Sequence, residues 1–279
     1  IADESTRISN PRAKQSKAIK KLRSRYRFAL SGTPWNNKVD DIWNVMDWLV
    51  PGFLGSWWSF IQTYCVRNYW GAITGYRNLD VLKEKIRPYM LRRTKEEVMP
   101  ELPEVITSEI VFELSKEERK LYDLIRREIL LEIERELLSK VENPTTISQG
   151  ITKLLRLRQL TNSMQLLGEG TKSTKTETIK ELMLMLEGRK VIIFSEFAEY
   201  CKILQDALAE YNPLMIIGDT PQDERVRIIE KFMESQQYAV LIGSPATYHG
   251  LNLQVADTII HADNCWSNSK MEQRRGRLH

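Results

Sequence analysis

Long apolar runs are missing from this sequence. A membrane-spanning helix needs roughly 20 apolar residues in succession, whereas the longest runs here, 191–194 and 215–217, have the length of buried strands. No membrane association is expected. Cysteine is also scarce. Cys65, Cys201 and Cys265 lie far apart, which excludes a disulfide framework and the close spacing of a zinc site; a reducing compartment is expected. Charge of one sign is lacking too: 41 basic residues against 37 acidic ones leave +4, too mild a balance to identify a partner. A hydrophobic fraction of 42% and a charged fraction of 28% exclude a disordered or collagen-like chain. Neither an initiator methionine nor a signal peptide is found at Ile1, and the sequence stops in an arginine-rich segment, so a fragment of a longer protein is expected.

What is present is a two-part pattern in 279 residues, enough for two compact domains. In the second half, KVIIFS (190–195), LMIIG (214–218), YAVLIG (238–243) and DTIIH (257–261) are short apolar runs. Helical patterns over 174–186, 197–211 and 221–233 alternate with them. Near-continuous apolar strands between helices predict an α/β fold whose parallel sheet is covered on both faces. Thr174 with Glu177 and Ser115 with Glu118 read as capping boxes, Thr220 as a helix cap and Gly188 as a helix stop. From Leu121 to Val141 apolar residues recur every fourth position, predicting a helix of about 40 Å that projects from the body and ends at Pro144. A second helix runs through Leu154, Leu157, Leu160 and Met164 to Gly168. In the first part, residues 1–4 end a strand, a basic helix follows, and RFAL (27–30) is a strand leading into SGTP. Trp35, Trp43, Trp48, Trp57, Trp58 and Trp70 are read as the core of a helical insertion. The boundary falls at 103–108, giving domains 1–105 and 106–279, the latter with a protrusion at about 115–168.

In open α/β sheets functional groups gather at the carboxyl ends of strands, and four segments qualify. Asp3-Glu4 is an acidic pair that could hold Mg²⁺ and polarise a water, although two adjacent acids more often form a surface turn. Ser31-Gly32-Thr33-Pro34 is a small, hydroxyl-rich turn. Ser244 and then Gly250-Leu251-Asn252 follow a buried strand, where glycine permits close backbone approach. The run Gln273-Arg274-Arg275-Gly276-Arg277 offers guanidinium forks for phosphate oxygens, one of which could serve as an arginine finger. Separately, Lys14, Lys17, Lys20, Lys21, Arg23, Arg25 and Arg27 form an acid-free basic strip that could hold a phosphate backbone or be a solvated helix face.

In order and spacing these segments resemble the Swi/Snf-type helicase-like ATPases, superfamily-two DNA translocases. DESTRISNP resembles the Walker B segment and LSGTPWNN the third motif. PGFLGS (51–56) and RPYMLRRTK (87–95), followed by Glu101-Leu102-Pro103, resemble segments distinctive of this family. KVIIFSEF, SPATYHGLNLQVAD and QRRGRLH resemble the fourth, fifth and sixth motifs, so the resemblance covers essentially the whole chain.

The resemblance implies two RecA-like P-loop NTPase lobes, the first incomplete, with helical insertions, and ATP and Mg²⁺ as cofactors. Asp3 would coordinate Mg²⁺ and Glu4 would activate the attacking water. Ser31, Gly32 and Thr33 would couple the nucleotide site to the DNA track, and Ser244, Lys14, Lys17 and Lys21 would lie along it. Gly250 and Asn252 would face the nucleotide cleft, which Gln273 and Arg277 would reach from the second lobe, Arg277 as arginine finger. The implied activity is DNA-stimulated ATP hydrolysis coupled to movement along double-stranded DNA. A strand-separating helicase, a restriction-system motor and an ATPase-dead DNA-binding scaffold are the alternatives. Protein partners would bind through sequence outside the chain. The implied location is cytoplasmic and nucleoid-associated in a bacterium or virus, nuclear in a eukaryote. Three departures stand out: Thr247 and Tyr248 replace the fifth motif's usual glycines, the sixth motif's second arginine would fall just after His279, and G-x-x-x-x-G-K-[ST] is absent. Without that loop's backbone N–H cradle and lysine, the purified 279-residue chain is expected to show no ATP turnover; a DNA-stimulated rate above background would overturn this.

Overall fold

The computed structural model describes residues 1–32, 38–93, 95–99, 101, 105–139, 144–170, 173–234, 239–245, 255–266 and 268–275. The chain divides into two compact units, Ile1–Glu104 with Ser267–Ser269, and Val105–Trp266 with Lys270–His279.

The first unit holds α1 (Lys14–Lys21), α2 (Asp41–Leu49), α3 (Trp57–Tyr64), β1 (Cys65–Arg67), β2 (Ile73–Tyr76), α4 (Leu79–Ile86) and α5 (Lys95–Val98). The hydroxyl of Ser56 starts α3 by accepting the Ser59 N–H at 3.2 Å. Phe60, Ile61 and Tyr64 then share one helix face and pack with Ile42, Met46, Leu82 and Ile86. β1 and β2 pair antiparallel. The tryptophans depart from the expectation of a common core. Trp48 is buried, but Trp58 and Trp70 are 68% and 79% exposed. The reason is local: Trp58 falls off the face that Phe60, Ile61 and Tyr64 define, and Trp70 sits in the turn joining β1 to β2. Trp35 lies outside the described residues.

The second unit contains α6 (Lys116–Ser139), α7 (Pro144–Asn162), α8 (Thr174–Met185), β3 (Val191–Phe194), α9 (Ala198–Ala207), β4 (Leu214–Ile216), α10 (Gln222–Glu234), β5 (Val240–Gly243), β6 (Thr258–His261) and, from Lys270 on, α11 (Asn268–Arg275). The four strands form one parallel sheet in the order β4-β5-β3-β6. Alternation along the strands splits the core in two. Val191 and Ile193 of β3, with Val240 and Ile242 of β5, pack against Ile179 and Met183 of α8 and Tyr200, Cys201 and Leu204 of α9. Ile192, Phe194 and Leu241 face Phe232 of α10. Both faces are therefore covered, and that is why the strand sequences are apolar throughout.

The long helix is α6; Ile125 and Ile129 are buried, while Val141 lies outside the described residues. Pro144 opens α7, where its missing N–H is no loss. After α7, Ser163 accepts the Gln165 N–H at 3.2 Å, and Gly168 adopts φ 76° to end a single 3₁₀ turn. Thr220 holds the strand end behind it, accepting the Ile217 N–H at 3.0 Å.

The two expected capping boxes fare differently. Ser115 and Glu118 form theirs: the Glu118 N–H donates to Ser115 Oγ at 3.2 Å and the Ser115 N–H to Glu118 Oε2 at 2.8 Å. At α8 the cap is Ser173, whose hydroxyl accepts the Thr176 N–H at 3.3 Å, not Thr174 with Glu177. Thr174 is occupied by the other box, donating its hydroxyl to Glu118 Oε2 at 2.5 Å and its N–H to Glu118 Oε1 at 3.0 Å. One buried carboxylate thus serves the first turns of α6 and α8. Burial pushes the Glu118 pKa up, but the bonds from Thr174 and Ser115 outweigh it and the net direction is down. Its contribution to stability is thus present above the ordinary value of 4.5 and lost as pH falls through the lowered pKa. Glu118→Ala is expected to cost on the order of 2–3 kcal/mol at pH 7 and to flatten the acid limb of the stability profile. Urea unfolding across pH measures both, and an unchanged acid limb would remove Glu118 from this role.

Candidate functional site

The first cluster is built by two short extended segments. The Ala2 N–H donates to Phe28 O at 2.7 Å and the Leu30 N–H to Ala2 O at 2.8 Å, pairing Ala2 with Ala29 in parallel. Ala2 and Ala29 pack with Ile8, Ile19, Val45 and Trp48, so the pairing is anchored from below. Because the segments run parallel, their carboxyl ends meet. Asp3-Glu4 leaves one and Ser31-Gly32 the other, and the Ser5 N–H closes onto Leu30 O at 2.9 Å. The expected strands are present only as this single bridge.

Asp3 is exposed and its Oδ1 accepts the Glu4 N–H at 2.9 Å; Glu4 is half-buried. Glu4 is left-handed, at φ 48° and ψ 51°. The bonds of Ala2 on one side and Ser5 on the other hold it there. A side chain pays for that conformation, and such strain collects where position matters more than stability. Gly32 is exposed, and a Cβ on it would meet nothing within 4 Å, so no close approach within the chain demands glycine there.

α1 sorts the basic strip. Its inner side is set by Ser16, whose hydroxyl donates to Ile8 O at 3.1 Å, by Ile19, and by Lys20, paired with Asp47 at 2.7 Å. Lys14, Lys17 and Lys21 fall at i, i+3 and i+7 on the opposite side, exposed and aligned. Arg27 is structural, its Nη1 donating to Trp48 O at 2.5 Å.

The second cluster lies at the carboxyl ends of β3 and β6. Asp263 Oδ2 accepts from Ser195 Oγ at 2.5 Å and from Asn162 Nδ2 at 3.0 Å, and Asp263 Oδ1 accepts the Glu196 N–H at 2.9 Å. Arg274 of α11 is fully buried here. Its Nη1 donates to Asp263 O and its Nη2 to Glu196 Oε1, each at 2.8 Å, and its guanidinium carbon lies 5.6 Å from the Phe194 ring centroid. Cys265 Sγ donates to the same Glu196 Oε1 at 3.1 Å. Asn162 also accepts from Lys175 Nζ at 2.7 Å, linking a second cation to Asp263. Burial brings the Lys175 pKa down to about 8 against the opposing pull of Asp263. Burial, with Arg274 and Arg275 nearby, brings His261 down to about 4, so His261 is neutral at physiological pH.

Ser244 is buried at the end of β5, its N–H donating to Ile216 O at 3.0 Å. Gln273 belongs to α11, but its side chain is outside the described set; Thr33, Gly250, Asn252 and Arg277 lie outside the described residues altogether. A cleft of about 530 Å³ beside Glu196 also includes Glu199, Asp206 and Lys202. Three acids against one lysine make it a poor phosphate site. Sequence reasoning missed Glu196, Asp263 and Arg274 as a unit. Their signal was two acids just beyond two strands and an arginine in a helix otherwise read as a phosphate-binding run.

Relief of the left-handed strain at Glu4 is worth about 1–2 kcal/mol, set against about 0.5–1 kcal/mol for the greater freedom of unfolded glycine. Glu4→Gly is therefore expected to stabilise the chain by up to about 1.5 kcal/mol. A lower denaturant midpoint for the variant would mean that the conformation carries no strain.

Comparison with known proteins identifies the relatives of this chain. Residues 1–166 match the SNF2-related domain and residues 174–279 the helicase conserved C-terminal domain. The chain is 30% identical over 283 residues to an uncharacterized ATP-dependent helicase of Mycoplasma genitalium, with 100% of this chain and 27% of that protein covered. It is 27% identical to the DNA repair and recombination protein RAD26 of Saccharomyces cerevisiae, with 99% of this chain and 27% of that protein covered. It thus spans about a quarter of the length of these relatives. Among solved structures it is similar to the Sulfolobus solfataricus SWI2/SNF2 ATPase core domain, with TM-score 0.53, 31% identity, and 99% of this chain and 59% of that one covered. The same core in complex with dsDNA gives TM-score 0.50 at 31% identity, over 94% of this chain and 57% of that one. SWI2/SNF2 cores are built of RecA-like lobes, the fold class to which the parallel sheet and its flanking helices conform. The chain belongs to the SNF2-related family.

Proposed function

We propose that this chain is the motor core of a DNA-stimulated ATPase that moves along double-stranded DNA. The observation that carries the reading is the parallel pairing of Ala2 with Ala29, which sets the acidic pair beside the Ser31-Gly32 turn, in a family whose solved relative binds dsDNA. The domains proposed are 1–105, the later part of a first lobe, and 106–279, a second lobe with α6 and α7 as its protrusion.

The donor set suits Mg²⁺ delivered with a nucleotide. That ion keeps most of its waters and takes one or two protein carboxylates plus phosphate oxygens. Asp3 is one exposed carboxylate, and among the described residues no cluster of three or more ligating side chains forms a cage. Asp3 would hold the ion, which when bound neutralises charge on the phosphates. Glu4, fixed in its left-handed position, would orient the attacking water and take up its proton. Gln273 and Arg277 would contribute from the second lobe, with Arg277 placing positive charge on the transferring phosphoryl group. Gly250 and Asn252 would border the nucleotide cleft. The adjacency of Ser5 and Leu30 offers a short path from Glu4 to Ser31, Gly32 and Thr33, through which the nucleotide state would reach the DNA. The aligned, exposed Lys14, Lys17 and Lys21 would meet the phosphate backbone, and Ser244, buried at the end of β5, would lie near the DNA-contacting strand end without touching the duplex, so binding would be weakly sequence-specific and steeply salt-dependent.

In the full-length protein, Glu4→Gln should lower DNA-stimulated turnover by roughly 10²- to 10³-fold and leave ATP binding intact; unchanged turnover would falsify the role of Glu4. On duplex substrates the intact motor should displace a third strand without separating the two strands. Strand separation would favour the helicase reading.

A further inference from the structure

The second cluster contains a charge that phosphate recognition does not use. Arg274 lies within a run of arginines that reads as phosphate-binding, yet its side chain is fully buried and turned inward. It donates to the Glu196 carboxylate and the Asp263 carbonyl, 2.8 Å each, with a second carboxylate oxygen of Asp263 at 3.7 Å. Both acceptors are themselves fixed. Glu196 gives its N–H to Asp263 and accepts from Cys265, and Asp263 accepts from Ser195 and Asn162. Glu196 follows β3 and Asp263 follows β6, neighbouring strands in register from Val191↔Thr258 to Phe194↔His261. The guanidinium fork therefore spans two adjacent strand ends, and a planar fork with fixed donors transmits orientation as a lysine could not.

We infer that Arg274 is a positioning residue: its buried pairing with Glu196 and Asp263 locks α11 to the carboxyl ends of β3 and β6 and so governs how Gln273 and Arg277 act on the nucleotide. This rests on the reading of Arg277 as arginine finger. Gln273 is the neighbour of Arg274 in α11, so a helix free to rotate or slide would carry it out of line, and Arg277 follows Arg274 by three residues in the sequence. Displacements of about 1 Å at a reacting centre cost up to 10²-fold in rate. The arrangement has a second consequence. Removing either charge alone leaves the other buried without its partner, whereas removing both relieves the desolvation cost together. Stability and catalysis should then part company.

The test uses the full-length protein with saturating duplex DNA, reading kcat, KM for ATP and thermal midpoint. Arg274→Met should lower kcat by roughly 10- to 100-fold, with a smaller change in KM and a lower midpoint. The double variant Glu196→Gln with Arg274→Met should regain most of the lost midpoint while kcat stays low. Recovery of kcat along with the midpoint would show a purely structural role and overturn the inference. In an Arg277→Lys background, Arg274→Met should lower the midpoint as before but leave kcat within about twofold, since a residue acting through Arg277 has nothing further to lose. A full multiplicative loss there would equally overturn it. Arg277→Lys turning over at the wild-type rate would instead sink the arginine-finger reading beneath it, a result separable from the others. Should Arg274→Met fail to fold, Arg274→Lys, which keeps the charge without the fork, is expected to keep the midpoint within a few degrees and still lose kcat; wild-type kcat for that variant counts against the proposal.

Discussion

Parallel pairing sends neighbouring chain segments off in the same direction, and most of what this chain offers chemically follows from that. Hydrogen bonds between parallel strands fix not only which residues lie side by side but which edge all the outgoing loops share. In the second unit four strands obey this, so Ser195, Glu196, Ser244 and Asp263 emerge along one edge of the sheet. In the first unit the principle operates through three backbone bonds: a single bridge suffices to bring Asp3-Glu4 beside Ser31-Gly32, segments that are far apart in sequence. Hydrophobic burial holds the segments in place, but the ladder decides what meets what.

The edge so created collects charge, and the two units handle it in opposite ways. Asp3 stays in solvent, its carboxylate accepting the N–H of Glu4. Asp263 is enclosed and Glu196 largely so, and enclosure demands compensation: Arg274 reaches both, while Lys175 reaches Asp263 through Asn162. Two carboxylates and two cations leave the enclosed group without net charge, the condition under which such groups persist inside a protein. The depressed pKa of Lys175 records that its burial is only partly offset.

Much of this was legible before any coordinates. Unbroken apolar strands alternating with helices announce a parallel sheet covered on both faces, because crossover helices lie on both sides of it, and all four proposed strands appear in it. The Ser115–Glu118 box was legible because its bonds join residues three apart, where local spacing alone settles the geometry. Thr174 was misread because its partner is Glu118, 56 positions away, and no local pattern signals a carboxylate arriving from another helix. The tryptophans were misread as a block because residue type indicates a taste for burial but not the face: Trp57 and Trp58 are neighbours in sequence and differ in surroundings. Among the candidate site residues, the aligned lysines of α1 could be read from spacing, yet only packing shows that Lys20 belongs to Asp47. Arg274 was hidden most completely, since an arginine among arginines looks like a ligand for phosphate until its burial is known.

The shared carboxylate of Glu118 has a mechanical side. α8 runs directly into the strand β3, whereas α6 packs with α7. Hydrogen bonds from the starts of both α6 and α8 converge on the two oxygen atoms of Glu118. Such bonds are short-ranged and directional, stiff up to a small displacement and slack beyond it, whereas greasy contacts slide and creep. The junction therefore ties the first turns of α6 and α8 to each other through a single side chain, and acid, by protonating that one group, loosens both helix starts at once.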